Sequence, residues 1–123
     1  MSRRVKTTTA KAGATASERR VLSAVSAAGT EPSQSTDGYV IQQNEYLHLL
    51  FELGGTDPVF RVRIWFYSEI SGRWHRSRQV VVNDDDIVTV EVQGLDRVYL
   101  QVETTPSGTS PTLSAWVALA RNV

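Results

Sequence analysis

Val59-Phe60-Arg61-Val62-Arg63-Ile64-Trp65-Phe66-Tyr67 is the stretch whose reading decides the fold. On an extended backbone successive side chains point to opposite sides. Phe60, Val62, Ile64 and Phe66 then share one side, and Arg61, Arg63, Trp65 and Tyr67 share the other. A helix would scatter both sets around its circumference, so the period of two identifies a strand. The first set calls for a dry core. The second, two arginines and two aromatics, suits a surface met by water or by another protein.

The flanking segments repeat this pattern. Upstream, Leu47, Leu49, Phe51 and Leu53 alternate with Tyr46, His48, Leu50 and Glu52. Gly54-Gly55-Thr56-Asp57-Pro58 then reads as a turn into the central strand. Downstream, Ser71-Gly72 lies between the central strand and Arg73-Trp74-His75-Arg76-Ser77-Arg78, a hairpin signature. Residues 80–82 continue that ribbon, and Asn83-Asp84-Asp85-Asp86 turns it. Val88, Val90 and Val92 face inward from the next strand, Gly94-Leu95-Asp96 turns again, and Val98, Leu100 and Val102 follow. A Thr/Pro/Ser/Gly loop is expected over residues 104–111 and a last strand over 113–120. Short strands separated by turns predict an all-β, antiparallel β-sandwich or jelly-roll-like single domain.

Before Tyr39 the pattern is weaker. Residues 20–28 read as a strand, with Val21, Ser23 and Val25 on one face, or as a helix behind the capping box Thr15-x-x-Glu18 and ended by Gly29. The β character of all that follows favours the strand. Residues 29–38, Gly-Thr-Glu-Pro-Ser-Gln-Ser-Thr-Asp-Gly, form a loop. Residues 1–19 carry little to bury and are expected to be an extended basic arm preceding a domain over 20–123.

The 123 residues carry no net formal charge, but the charge is unevenly spread. Residues 1–37 hold six cations against three acids, while residues 38–123 hold seven arginines against ten acids. Without cysteine there is neither a disulfide nor a thiolate metal site. No apolar run approaches the roughly 20 residues that span a bilayer, and no apolar h-region follows the basic N-terminus, so neither a membrane span nor a secretory signal is expected.

Catalytic signatures are lacking. No Gly-x-Ser-x-Gly elbow, phosphate-binding glycine loop or His-Glu-x-x-His occurs, and His48 and His75 read as strand-surface histidines. Asn83 to Asp86 offers oxygen ligands to calcium but lacks the glycine-bearing spacing of a calcium loop, so a solvated turn is expected. No enzyme activity, cofactor or metal is predicted. The candidate contact residues are Arg61, Arg63, Trp65, Tyr67, Arg73, Trp74 and Arg76, because aromatics and arginine concentrate at the centres of protein interfaces. Trp65, Tyr67 or Trp74 would alternatively serve as a sugar-stacking platform. In the arm, Arg3, Arg4, Val5 and Lys6 are candidates for a strand-like tether, Val5-Lys6-Thr7-Thr8-Thr9, that adds to a neighbour's sheet edge. Nucleic acid is the weaker reading for these cations.

The order of signals resembles a known group. Val-Leu-Ser-Ala-Val-Ser-Ala-Ala-Gly (21–29), Asp37-Gly38-Tyr39, the alternating strand 46–53, Ser71-Gly72-Arg73-Trp74 and Val98-Tyr99-Leu100-Gln101-Val102 together look like the small β-sandwich structural proteins of tailed bacteriophage virions. These include capsid cement (decoration) proteins and related head or tail accessory proteins. The likeness covers about residues 20–123, and it departs at Ser71, where many of those proteins carry Asp before the hairpin glycine. It implies a non-enzymatic subunit that assembles in the host cytoplasm and binds the major capsid protein or other virion proteins in many copies. Placement on the capsid exterior is expected, with the neck or tail as the alternative.

Overall fold

The computed structural model describes residues 17–42 and 44–120; Arg3, Arg4, Val5 and Lys6 lie outside the described residues. Its central element is β3, Tyr46–Ser68, one strand of 23 residues that serves two halves of a single antiparallel sheet. The other strands are β1 (Ser17–Val25), β2 (Tyr39–Val40), β4 (Arg73–Val82), β5 (Asp86–Glu91), β6 (Arg97–Val102) and β7 (Ser107–Ala120). In the front half the order is β5-β3-β7-β1, and in the back half β4-β3-β6-β2. The two halves fold over on each other and nearly close into a barrel, so the predicted all-β antiparallel domain is what forms. Among the described residues there is no helix, and residues 20–25 take the strand reading as part of β1.

Residues 54–58 differ from expectation: they bend β3 and leave it unbroken. Gly55 and Asp57 adopt positive φ (97° and 50°), as do Gly108 (108°) and Ser110 (49°) on the partner strand β7. Two register shifts fall at the same place, between Gly54 and Thr56 and between Thr56 and Val59. Such paired bulges let both strands turn a corner while staying hydrogen-bonded. The expected loop over 104–111 is therefore shortened, and β7 begins at Ser107 because Ser107 pairs with Val59. The glycines are required there: a Cβ on Gly108 would sit 2.6 Å from the Asp57 carbonyl oxygen.

The bend brings the two ends of β3 together. The connection between β5 and β6 ties them, with Val92 N donating to Glu45 O at 2.8 Å and Asp96 N to Tyr67 O at 3.0 Å. At the far end of the back half, Gly72 N donates to Ser68 O at 2.8 Å and closes the predicted hairpin with φ 71°. Inside, Leu47, Leu49, Phe60, Val62, Ile64 and Leu113 are fully buried. Each such side chain contributes roughly 1.5–3 kcal/mol of transfer free energy. An arginine spans the gap between halves at each open side: Arg19 of β1 lies 5.4 Å from the Tyr39 ring of β2, and Arg78 of β4 reaches Thr89 O of β5.

Candidate protein-contact site

The outer face of the back half holds Arg61, Arg63, Trp65, Tyr67, Trp74 and Arg76, with Arg73 paired to Ser68 on the other side beside the hairpin, and the chain itself engages most of them. Trp65 is only 9% exposed, and its indole N–H donates to Gln101 Oε1 at 2.8 Å. Its burial corrects the expectation of a surface tryptophan, and it removes Trp65 from any sugar-stacking platform. Tyr67, Trp74 and Tyr99 form a ring ladder, with centroids 5.4 and 6.0 Å apart and planes tilted by 59° and 67°.

Residues 29–38 are strapped across this ladder. Gly29 N donates to Val102 O, Tyr99 Oη to Thr30 O at 2.9 Å, and Trp74 Nε1 to Gln34 O at 2.9 Å. Arg97 donates to the Asp37 and Thr36 carbonyls. The strap is itself stiffened by Asp37, whose Oδ2 accepts from Ser33 N and Gln34 N. Those two backbone donors hold the Asp37 carboxyl below its ordinary range. An aromatic face that looks sticky in sequence is thus largely covered by a polar loop of the same chain.

The charged half of the face is a network around Glu103, on the residue after β6. Arg63 of β3 and Arg76 of β4 both pair with it, at 3.1 and 2.9 Å, and Gln79 donates to it at 2.6 Å. The Arg63 guanidinium, then that of Arg76, hold the Glu103 carboxyl down at about 2 against an ordinary 4.5. Arg63 also donates to Ser77 O, a backbone acceptor in the stretch where the pairing of β4 with β3 slips between Arg63 and Trp65. What remains open to solvent is Arg61, Arg73 and the 57% exposed Arg76, with Ile70 at 96% exposure on the hairpin tip.

The front half presents a face that the sequence reading passed over. Register places Ile87 of β5 opposite Leu50 of β3, Leu50 opposite Trp116 of β7, and Trp116 opposite Arg20 of β1. These four side chains make a row straight across four strands. Ile87 is 62% exposed, Leu50 and Trp116 are partly exposed, and Arg20 lies over the Trp116 ring at 5.2 Å. His48 sits in the next row with its Nδ1 2.9 Å from Thr89 Oγ1. Alternation alone puts Leu50 on an outer side; only register aligns it with residues 37 and 66 positions away.

The remaining candidates serve the fold. Asp85 Oδ1 accepts from Leu53 N, while Asp84 and Asp86 accept from the next residue's N–H, as in a solvated turn. Among the described residues no three His, Asp or Glu side chains converge as metal ligands. Ser71 Oγ lies 2.7 Å from His75 Nε2 on the exposed hairpin. A polar groove of about 460 Å³ is lined by Gln42, Asn44, Gln93 and Asp96 among others, and Asp96 there accepts from Gln42 and from Glu69 N. No helix is long and apolar enough to cross a membrane, a statement that covers the described residues. Compared with protein-family models, curated proteins and solved structures, the chain matches none.

Proposed function

We propose that this chain is a non-enzymatic structural subunit of a tailed-bacteriophage virion that decorates or cements the capsid through protein–protein contacts. The observation that carries the reading is the half-exposed row Ile87–Leu50–Trp116 on the front face, rimmed by Arg20, His48 and Glu52. An apolar centre with an aromatic anchor and a polar rim is the composition of a protein interface. The order of motifs along residues 20–123, which resembles virion sandwich proteins, supports the same reading. The major capsid protein or another virion protein is the partner on this face, and the N-terminal arm reaches a neighbouring subunit. Many weak sites of this kind become retention through multivalency.

The test is mass spectrometry and imaging of purified particles of the phage that encodes the chain, followed by reconstitution with the variant Leu50→Glu. Regular copies on the capsid surface, lost in the variant, are expected. Absence of the chain from particles would sink the proposal, and density confined to the neck or tail would move the same contacts to that site.

A further inference from the structure

We infer that β5 is the docking edge for residues 1–16 of a second copy of this chain. Four strands end the two halves of the sheet: β1 and β5 in front, β2 and β4 behind. Their characters differ. β2 has two residues, β4 carries Arg73, Arg76 and Arg78, and β1 carries Arg19 and Arg20. Only β5 is acidic, with Asp86 and Glu91 at its ends and Asp84 and Asp85 leading into it, all exposed.

The backbone of β5 is available on its free side. The Thr89 carbonyl points away from β3, toward Arg78, and alternation places the Thr89 N–H and the Ile87 carbonyl on that same side. Asp86 already satisfies the Ile87 N–H. The Arg78 contact is long, at 3.5 Å, and solvent-exposed, so a pairing strand displaces little. An edge guarded by charge in this way rejects indiscriminate strands and accepts one of opposite charge.

The chain supplies such a strand. Residues 1–16 hold Arg3, Arg4, Lys6 and Lys11 and no acid, whereas residues 17–120 hold eight arginines against thirteen acids. Val5-Lys6-Thr7-Thr8-Thr9 is rich in β-branched residues suited to a strand. Sixteen residues reach up to about 50 Å when extended. The segment leaves from β1, the opposite edge of the same front half from β5. The strand order puts its own β5 three strand spacings away, roughly 15 Å and within that reach, so a monomer with the arm folded back is the outcome that sedimentation tests against. Copies that exchange arms reciprocally form a closed dimer, and copies that pass them on in one direction form a ring or filament.

This inference rests on the arm-in-trans part of the proposed function and fails separately from it. Particle binding by a chain that is strictly monomeric would overturn the inference and leave the capsid reading intact. Sedimentation velocity of the full chain at low salt is expected to show species larger than the 13.6 kDa monomer, dissociating as ionic strength rises toward about 1 M. Reversing the arm (R3E, R4E, K6E and K11E together) leaves residues 17–120 unchanged and should weaken association about tenfold or more. Asp84→Lys with Glu91→Lys should do the same, and the two reversals combined should restore assembly. Thr89→Pro removes an outward N–H while sparing the backbone bonds to β3, and should weaken assembly with the dichroism spectrum unchanged, whereas Thr89→Val, which loses only the hydroxyl contact to His48, should assemble normally. A full chain that stays monomeric to about 0.1 mM, or assembles indifferently to both reversals, overturns the inference.

Discussion

Arg63 grips Glu103 through both carboxylate oxygens, with its Nε 3.1 Å from each. The pair joins β3 to the exit of β6 across the outer face of the back half. With side chains 17% and 18% exposed, it lies in the range where losing one partner costs more than the intact pair contributes.

Glu103→Gln should therefore destabilise the fold by about 1–3 kcal/mol in urea denaturation at neutral pH, because Arg63 and Arg76 lose their charged acceptor. The pH dependence follows from the sign of the shift. A carboxyl depressed from 4.5 to about 2 stabilises fully above its unfolded value and loses that contribution as pH falls between them. Wild-type stability should drop from pH 4.5 toward 2, and the Gln variant should drop less steeply. Parallel acid curves for the two proteins would refute this role of the carboxylate.

Gln101→Leu should cost about 1–3 kcal/mol, because it strands the buried indole N–H of Trp65. Trp65→Ala should cost more, about 3–5 kcal/mol, by opening a cavity. Tryptophan fluorescence during denaturation measures both. A neutral Trp65→Ala would show that the ring lies outside the packed structure.

The corner of β3 and β7 should be intolerant of side chains. Gly108→Ala combines a left-handed backbone (φ 108°) with carbonyl oxygens of Asp57 and Thr56 at 2.6 and 2.8 Å from the new Cβ. Gly72→Ala has the left-handed cost alone, since nothing lies within 4 Å of its Cβ position. A loss of about 1 kcal/mol is expected at Gly72 and a clearly larger one at Gly108, read from thermal midpoints. Equal losses would mean that the corner relaxes.

On the front face, Ile87→Asp should change stability by less than about 1 kcal/mol, because the side chain is 62% exposed in the folded chain. Its effect should appear in particle binding, by at least about tenfold, which co-sedimentation measures. Ile70→Ser on the hairpin tip, at 96% exposure, is the matching control for stability. Undiminished binding by Ile87→Asp would remove the front row as the contact surface.

The amino-acid sequence by itself determined which residues turn inward and where the tight hairpin falls. Phe60, Val62, Ile64 and Phe66 are buried as their period of two requires, and Gly72 closes the β3–β4 hairpin, since both effects act over a few neighbouring residues. Only the tertiary structure decided that residues 54–58 bend a strand and leave it unbroken, because the partner bulges at Gly108 and Ser110 lie some 50 positions away. The partner for the Trp65 indole had to come from Gln101 of β6, cover for Trp74 and Tyr99 needed residues 29–38 to cross their face, and the row Ile87–Leu50–Trp116 needed three strands in register. Alternation assigns a side chain to a face; what covers that face depends on long-range pairing, which no local pattern encodes.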